Sequence, residues 1–170
     1  MLGGVPQLEN RSMQVLVGGS REQFTQWKDF FIVFSHHCLH VGTVGQAAAM
    51  KLALNQMGLA QTASLAMSLG YLQEMNTDIG IFMDILRNSV HYSKGLEKKQ
   101  EIMMKRDYAN IRFPLRLMLK DGLLMRDNFK AEGIDASTLD GITSVFQKAV
   151  DMGYADADYI KVYDAFLPHG

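Results

Sequence analysis

The sequence predicts a mainly α-helical protein that opens with a strand–helix–strand segment. Two short β-prone runs, residues 13–17 and 38–41, flank a helical pattern over residues 21–34, and each run is followed by glycine. Ser20 stands where it can cap that helix. From Val44 onward no strand pattern occurs. The aromatic residues of the first helix recur at helical spacing and are predicted to form its buried stripe: Phe24, Trp27, Phe31 and Phe34.

The helical part begins after the turn at residues 42–45, which marks the predicted border between two domains, 1–43 and 44–170. Two strands are too few for a stable sheet, so we expect the opening segment to belong to a larger sheet or to pair with another chain. Pro114 suits a first helical turn, Gly133 suits a helix end, and residues 137–140 have the form of a capping box. The predicted helices are residues 45–75, 78–88, 93–106, 114–132, 137–152 and 156–166.

The composition is that of a globular protein, with 48% hydrophobic and 21% charged residues among 170. The net charge of −1 argues against nucleic-acid binding, which usually needs a strongly basic surface. Cys38 is the only cysteine, so no internal disulfide can form and a reducing cytoplasm is expected. The first residues lack the pattern of a signal peptide. Polar residues interrupt the weakly charged stretch 52–72, which indicates a core helix and not a membrane span.

Lys51 is the only charged residue between Ala47 and Gln73. Its apolar neighbours along the sequence predict partial shielding from water, which would make the amine usable as an acid or base near neutrality. Asn55 follows four residues later and therefore lies one turn away on the same helix face. The pair could hold one polar ligand, with the lysine exchanging a proton and the amide orienting the ligand. Alternatively, the lysine extends to water and Asn55 bridges to a neighbouring helix.

Residues 40–55, with the sequence HVGTVGQAAAMKLALN, resemble the central signature H-V-G-x-V-G-x-G-x-x-x-K-x-x-x-N of the β-hydroxyacid dehydrogenase family. That family includes 3-hydroxyisobutyrate and glyoxylate/succinic semialdehyde dehydrogenases. Residues 113–123, FPLRLMLKDGL, are similar to its later motif, and residues 153–158, GYADAD, to its closing G-x-x-D-x-D. Gly3 and Gly4, followed by LVGG at residues 16–19, resemble its S-G-G…M-V-G-G segment. The likeness spans almost the whole chain in order.

The resemblance implies a helical bundle of the 6-phosphogluconate dehydrogenase C-terminal type, preceded by a strand–helix–strand remnant of a Rossmann domain. It also implies an NAD- or NADP-dependent oxidoreductase that interconverts a small β-hydroxy acid and its oxo acid or semialdehyde. Family members pair through their helical domains, so a homodimer or homotetramer is expected. No metal site, nucleic acid or membrane is implied.

The resemblance further implies a role for each matching site residue. Lys51 would be the general acid/base, and Asn55 would orient the substrate. The backbone amides of Gly3 and Gly4 would receive the substrate carboxylate. Lys120 would approach the nicotinamide end of the cofactor, while Phe113 and Asp121 would help to line the pocket.

Three positions depart from the family pattern. Leu2 stands where a serine precedes Gly-Gly, which removes one hydroxyl contact to the carboxylate and leaves the exact substrate open. Ala47 replaces a usual glycine, and Met67 stands where an acidic residue is common.

The family's G-x-G-x-x-G motif for the dinucleotide does not occur in this sequence. We therefore expect the chain to be a fragment or a split-gene product, inactive by itself because it should not hold a nicotinamide well. The alternative function is a non-catalytic helical dimerisation module derived from such an enzyme.

Two further clusters have competing interpretations. On a strand, His36, Cys38 and His40 would share a face and could bind zinc, but a fourth ligand is not evident, and a strand edge is the simpler interpretation. The charges of residues 94–106 have mixed signs at helical spacing, which indicates a solvated helix face more than a nucleic-acid patch.

Overall fold

The computed structural model describes residues 1–3 and 5–168, with the backbone alone described for residues 5 and 6. The chain forms two compact units, Met1–Asn55 and Gln56–Gly170. The division falls inside a long helix and not at the turn where the sequence places the domain border. The assignment of residues 1–43 and 44–170 to two domains stays a prediction.

The first unit contains a parallel two-stranded sheet. Its elements are α1 (Val5–Glu9), β1 (Gln14–Gly18), α2 (Arg21–Phe34) and β2 (His37–Gly42). The strands pair from Gln14 opposite His37 to Val17 opposite His40, with an irregularity before Gly18. The buried hydroxyl of Ser35 donates to the carbonyl of Met13 and accepts from the amide of His37, which links the starts of both strands. The predicted strand–helix–strand segment is confirmed.

Helix α2 begins as predicted but is covered less than predicted. Ser20 accepts the amide of Gln23, and the Gln23 side chain accepts the amide of Ser20, so a complete capping box starts the helix. The predicted buried stripe is covered only in part: Phe24, Phe31 and Phe34 are half-buried, whereas Trp27 is 55% exposed and α2 has no fully buried residue. A sheet of two strands is too narrow to cover a helix of 14 residues.

Helix α3 (Gln46–Glu74) confirms the predicted long helix. The helix is preceded by a turn in which Gly42 and Gly45 have positive φ angles of 121° and 93°, a conformation that favours glycine. The Gln46 side chain accepts the amide of Thr43 at 2.9 Å. No helix among the described residues is long and apolar enough to cross a membrane. The residues of α3 that pack in the core recur at helical spacing: Leu59, Thr62, Ala63, Leu65, Ala66, Leu69 and Gly70.

The second unit adds helices α4 (Ile79–Arg87), α5 (Lys94–Lys105), α6 (Leu115–Ala131), α7 (Ser137–Ala149) and α8 (Val162–Phe166). A π-helix (Val150–Tyr154) and a 3-10 helix (Tyr159–Lys161) lie between the last two. The mainly α-helical class is therefore confirmed.

Helix ends explain most differences from the prediction. Gly133 follows the end of α6 with a positive φ of 75°, as predicted. Pro114 precedes α6 as its N-cap residue instead of lying in its first turn. The predicted capping box at residues 137–140 is wrong, because the amide of Ser137 donates to Asp135 at 2.9 Å and Ala136 is the N-cap. The predicted last helix is interrupted, because Asp158 is extended and caps the 3-10 helix.

A polar cluster lies beside the core of the second unit. The hydroxyl of Tyr108 donates to Asp164 at 3.3 Å, and Arg106 lies 3.8 Å from the same carboxylate. The hydroxyl of Tyr163 donates to the Gln73 side chain. Burial, together with the charge of Asp164, raises the pKa of the Tyr108 phenol. The core around this cluster comprises Leu65, Ala66, Leu69, Leu96, Met103, Ile160, Tyr163 and Leu167.

The protein is expected to lose stability above pH 10, in part through Tyr108. In the unfolded chain the phenol ionises near pH 10, whereas the folded state holds the proton to higher pH. The folded state then binds more protons than the unfolded state, so the free energy of unfolding falls as pH rises. In Tyr108→Phe this loss between pH 9 and pH 11 should be smaller by about 0.5–1 kcal/mol, since solvent screens the half-buried phenol. Urea unfolding followed by circular dichroism measures it.

Tyr71→Phe is the matched control, because Tyr71 is exposed on α3. It should show the same change between pH 9 and pH 11 as the wild type. An equal alkaline loss in wild type and Tyr108→Phe would contradict the assignment.

Candidate active site

The amino-terminal residues of the first unit lie along strand β1. The amide of Leu2 donates to Gln14 at 2.8 Å, and the amide of Gln14 donates back to Leu2 at 3.0 Å. Gly3 has a φ of 136°, and a Cβ atom there would lie 3.0 Å from the Cβ of Gln7. The backbone at this position therefore requires glycine. Gly4 lies outside the described residues, and the carboxylate-binding role of both glycines stays a prediction.

The end of β1 contacts the start of α3. A Cβ atom on Gly18 would lie 2.6 Å from the carbonyl oxygen of Thr43 and 3.4 Å from the amide of Ala47. Only glycine allows this approach. Ala47, which departs from the family pattern, is accommodated because the residue facing it has no side chain.

Lys51 lies in the second turn of α3 and is exposed. The predicted shielding by its sequence neighbours is wrong for the described chain. Ala48, Met50 and Leu54 project in different directions from the helix axis and are themselves exposed, so they do not cover the Lys51 amine. The Lys51 charge does act on the amino terminus, because burial and this nearby ammonium together lower the pKa of the Met1 amino group. The Lys51 ammonium therefore lies near Met1, the residue before Leu2.

Asn55 lies one helical turn beyond Lys51 and is half-buried. In the part of the chain that the structure describes, neither side chain forms a hydrogen bond or an ion pair. The alternative prediction that Lys51 extends to water is therefore confirmed, whereas its other part, that Asn55 bridges to another helix, has no contact to support it. An ammonium and an amide on one face are available to a polar ligand.

The remaining predicted site residues belong to the second unit. Phe113 is half-buried immediately before α6, and Lys120 and Asp121 lie within that helix. The Lys120 side chain is 68% exposed and that of Asp121 is 29% exposed, with 3.3 Å between the amine and the carboxylate. Lys120 thus presents a cation at the surface, while its neighbour points partly inward.

Gly122, directly after Asp121, is buried between two helices. A Cβ atom there would lie 2.9 Å from the Thr143 methyl group on α7 and 3.2 Å from a methyl group of Leu59 on α3. The missing side chain lets α6 pack closely, which fixes the helix that carries Lys120 and Asp121.

Lys99 was missed by the sequence analysis, which placed all charges of residues 94–106 on a solvated face. It is half-buried, and its amine donates to the carbonyl oxygen of Gly58 at 3.4 Å. Burial lowers the pKa of this amine. The Thr62 hydroxyl donates to the same carbonyl at 2.9 Å. The sequence contains no signal that separates Lys99 from the exposed Lys98.

The zinc interpretation of the histidine run has no support in the geometry. His40 contacts the carbonyl oxygen of Gly19 at 2.8 Å and packs against Phe24 with 5.3 Å between ring centroids. Among the described residues no three His, Cys, Asp or Glu side chains are grouped so that they could hold a metal ion.

Comparison with known proteins identifies the family. Residues 45–166 match the family described as "NAD-binding of NADP-dependent 3-hydroxyisobutyrate dehydrogenase". The chain belongs to this family. It is 24% identical to the mitochondrial 3-hydroxyisobutyrate dehydrogenase of Drosophila melanogaster over 169 residues, which is 95% of this chain and 52% of that protein. The chloroplastic glyoxylate/succinic semialdehyde reductase 2 of Arabidopsis thaliana is 24% identical over 92% of this chain and 44% of its own length.

Solved structures of this family share the fold. The 3-hydroxyisobutyrate dehydrogenase of Salmonella typhimurium superposes with a TM-score of 0.83 at 20% identity, over 95% of this chain and 57% of that one. The Mycobacterium tuberculosis enzyme has the same TM-score at 19% identity, with the same coverage of both chains. The chain thus spans about half the length of the relatives it matches.

Gly122→Ala is expected to destabilise the protein by about 1 kcal/mol, because the clash with Thr143 costs more than the gain in helix propensity. Gly141→Ala on α7 is the matched control, since a Cβ atom there meets nothing within 4 Å. It should stabilise by about 0.5–1 kcal/mol. Thermal and urea unfolding measure both variants, and a stabilised Gly122→Ala would contradict the close packing.

Proposed function

We propose that this chain is the substrate-binding and catalytic half of an NAD(P)-dependent oxidoreductase that interconverts a small β-hydroxy acid and its oxo acid or semialdehyde. One observation carries the proposal: Lys51 and Asn55 lie one turn apart on α3, with the Lys51 charge near Met1, in a chain of the 3-hydroxyisobutyrate dehydrogenase family. The solved structure of the Mycobacterium tuberculosis relative includes L-serine, a small acid with a β-hydroxyl group. That ligand supports the substrate class.

In this proposal Lys51 moves the proton at the reacting oxygen. Its ammonium gives a proton to the carbonyl oxygen when the substrate is reduced, and its amine takes the hydroxyl proton in the reverse direction. The Asn55 amide holds the same oxygen in place, and the backbone amides of Gly3 and Gly4 bind the carboxylate. Because Lys51 is exposed in the described chain, bound ligand is expected to complete its shielding.

The residues present fit one end of the cofactor. Lys120 offers an exposed cation that can contact the nicotinamide end, and we propose Phe113 and Asp121 as substrate-contacting residues. The G-x-G-x-x-G turn that cradles the diphosphate is absent from the sequence. The nicotinamide, when bound, supplies the hydride chemistry. We therefore expect turnover to require a nucleotide-binding domain in addition to this chain.

A second candidate is a non-catalytic helical dimerisation module. It is supported by apolar side chains that are exposed on α3, at Met57, Met67 and Tyr71, and just after it, at Met75. A homodimer or homotetramer would cover them, and this assembly stays a prediction, as does the cytoplasmic location.

Lys51→Ala is expected to lower kcat for β-hydroxy acid oxidation by about 10²–10⁴-fold, because proton transfer at the hydroxyl is lost. Substrate binding should persist through Asn55 and the glycine amides. Steady-state rates with NAD⁺ and NADP⁺ measure this for the protein itself. They also measure it for the chain fused behind the nucleotide-binding half of the Drosophila melanogaster relative, which restores the full length of the family.

Lys98→Ala is the control, since Lys98 is exposed on α5. It should leave kcat within about twofold of the parent. Equal activity in Lys51→Ala and Lys98→Ala would remove Lys51 from the mechanism. A stable dimer without turnover in either form of the protein would favour the dimerisation module.

A further inference from the structure

The carboxylate of Asp158 is buried without a cation. The residue is 1% exposed, and no ion pair to it is formed among the residues that the structure describes. Its oxygens accept backbone amides instead: Arg112 at 2.8 Å, Phe113 at 3.4 Å and Ile160 at 3.0 Å. A buried carboxylate is costly unless such donors satisfy it. The charge is therefore balanced by the two segments that it joins.

The backbone of the same segments pairs directly. Pro114 and Asp158 form an antiparallel bridge, and the amide of Tyr159 donates to the carbonyl of Phe113 at 2.9 Å. The amides of Leu115 and Arg116 donate to Ala157 and Ala155, each at 2.9 Å. Residues 112–116 are thus held against residues 155–159.

This pairing replaces the missing cap of α6. Pro114 is the N-cap residue and offers no side-chain acceptor, so the first amides of α6 need other partners. The carbonyls of residues 155 and 157 supply them. The start of α6, and with it the position of Phe113, depends on the chain around Asp158.

The segment around Asp158 is itself held at both ends. The π-helix before it (Val150–Tyr154) contains Gly153 at a non-helical φ of 86°, one residue before its end. After it, the amine of Lys161 lies 3.9 Å from the centroid of the Tyr154 ring. A loop closed in this way can act as a rigid support.

We propose that Asp158 is a positioning residue for the substrate site: its carboxylate orients Phe113 and the first turn of α6 by binding their backbone amides. The inference rests on the proposed function, in which Phe113 contacts substrate and α6 carries Asp121. Asp158 touches neither substrate nor cofactor. It acts through the backbone of residues 112–116.

Asp156 provides a matched control on the same loop. Its side chain is 83% exposed and binds Arg116 at 2.7 Å in a surface ion pair. Such pairs contribute little to stability. Asp156→Asn removes the same charge as Asp158→Asn, two residues away, without changing the amide acceptors of Arg112 and Phe113.

Hydrogen exchange on the full chain tests the contact itself. In Asp158→Asn one of the two carboxylate oxygens becomes an NH₂ donor, which then faces either the amides of Arg112 and Phe113 or that of Ile160. The amides that lose their acceptor should exchange at least about tenfold faster. Asp156→Asn should leave them unchanged. Exchange at Phe146 in α7 and the helical circular dichroism report whether the variant is folded. If Asp158→Asn fails to fold, Asp158→Ser, which keeps one oxygen acceptor, takes its place. Unchanged exchange at all three amides, those of Arg112, Phe113 and Ile160, in a folded variant would overturn the proposal.

A KM-against-kcat comparison separates positioning from a merely structural role. In the active fused protein, Asp158→Asn should raise KM for the hydroxy acid about tenfold, because Phe113 is displaced. The cofactor KM should stay within about twofold, as should both constants in Asp156→Asn. A lower amount of folded enzyme would reduce the rate without moving KM, so an unchanged KM overturns the proposal. If the fused protein without the Asp158→Asn substitution shows no turnover, the proposed function itself is contradicted. If it is active and Asp158→Asn leaves KM unchanged, only the inference about Asp158 is contradicted.

Discussion

The burial of one face of α3 is the interaction on which the arrangement of the candidate catalytic pair depends. Leu59, Ala66 and Leu69 are almost completely buried, and this packing stabilises a helix of 29 residues. Once the helix is formed, its geometry sets the spacing of Lys51 and Asn55 at one turn. The pair therefore needs no loop to bring it together, and the two side chains keep a constant separation along α3. A proton donor and an orienting amide at a constant separation are what a small polar substrate requires.

Most of the fold could be predicted because local signals agree with tertiary packing. The predicted starts of α2 and α4 agree with the structure, where the side chains of Ser20 and Asp78 accept the first helical amides. The prediction failed where a distant partner replaces the local one. The tail is not one helix, because Asp158 binds amides of Arg112 and Phe113, more than 40 residues away in the chain. No periodicity over residues 156–166 could reveal that contact.

The sequence motif predicted the relative position of the candidate site residues better than it predicted their surroundings. The spacing of Lys51 and Asn55 correctly indicates a shared helix face, since α3 is continuous through both residues. Their surroundings could not be read from the sequence, because neighbours along a helix point in different directions and leave Lys51 exposed. Lys99 shows the opposite error. Its position in a charged run predicts a solvated side chain, whereas the structure shows it half-buried with its amine against the carbonyl of Gly58. Charge density along the sequence therefore does not report burial of a single side chain.

Lys51 and Asp158 carry charges in opposite surroundings, which suit them to different roles. Lys51 is exposed and lacks a side-chain partner among the described residues, which leaves its proton exchange open to a ligand. Asp158 is fully buried and its oxygens are occupied by three backbone amides, which leaves nothing for a ligand. Stability alone does not favour a buried carboxylate, since apolar or neutral replacements often serve as well. Three convergent amides are well matched by a carboxylate, and two of them, those of Arg112 and Phe113, hold the chain at Phe113. A buried carboxylate at this position is therefore best explained by the geometry that it imposes on the start of α6.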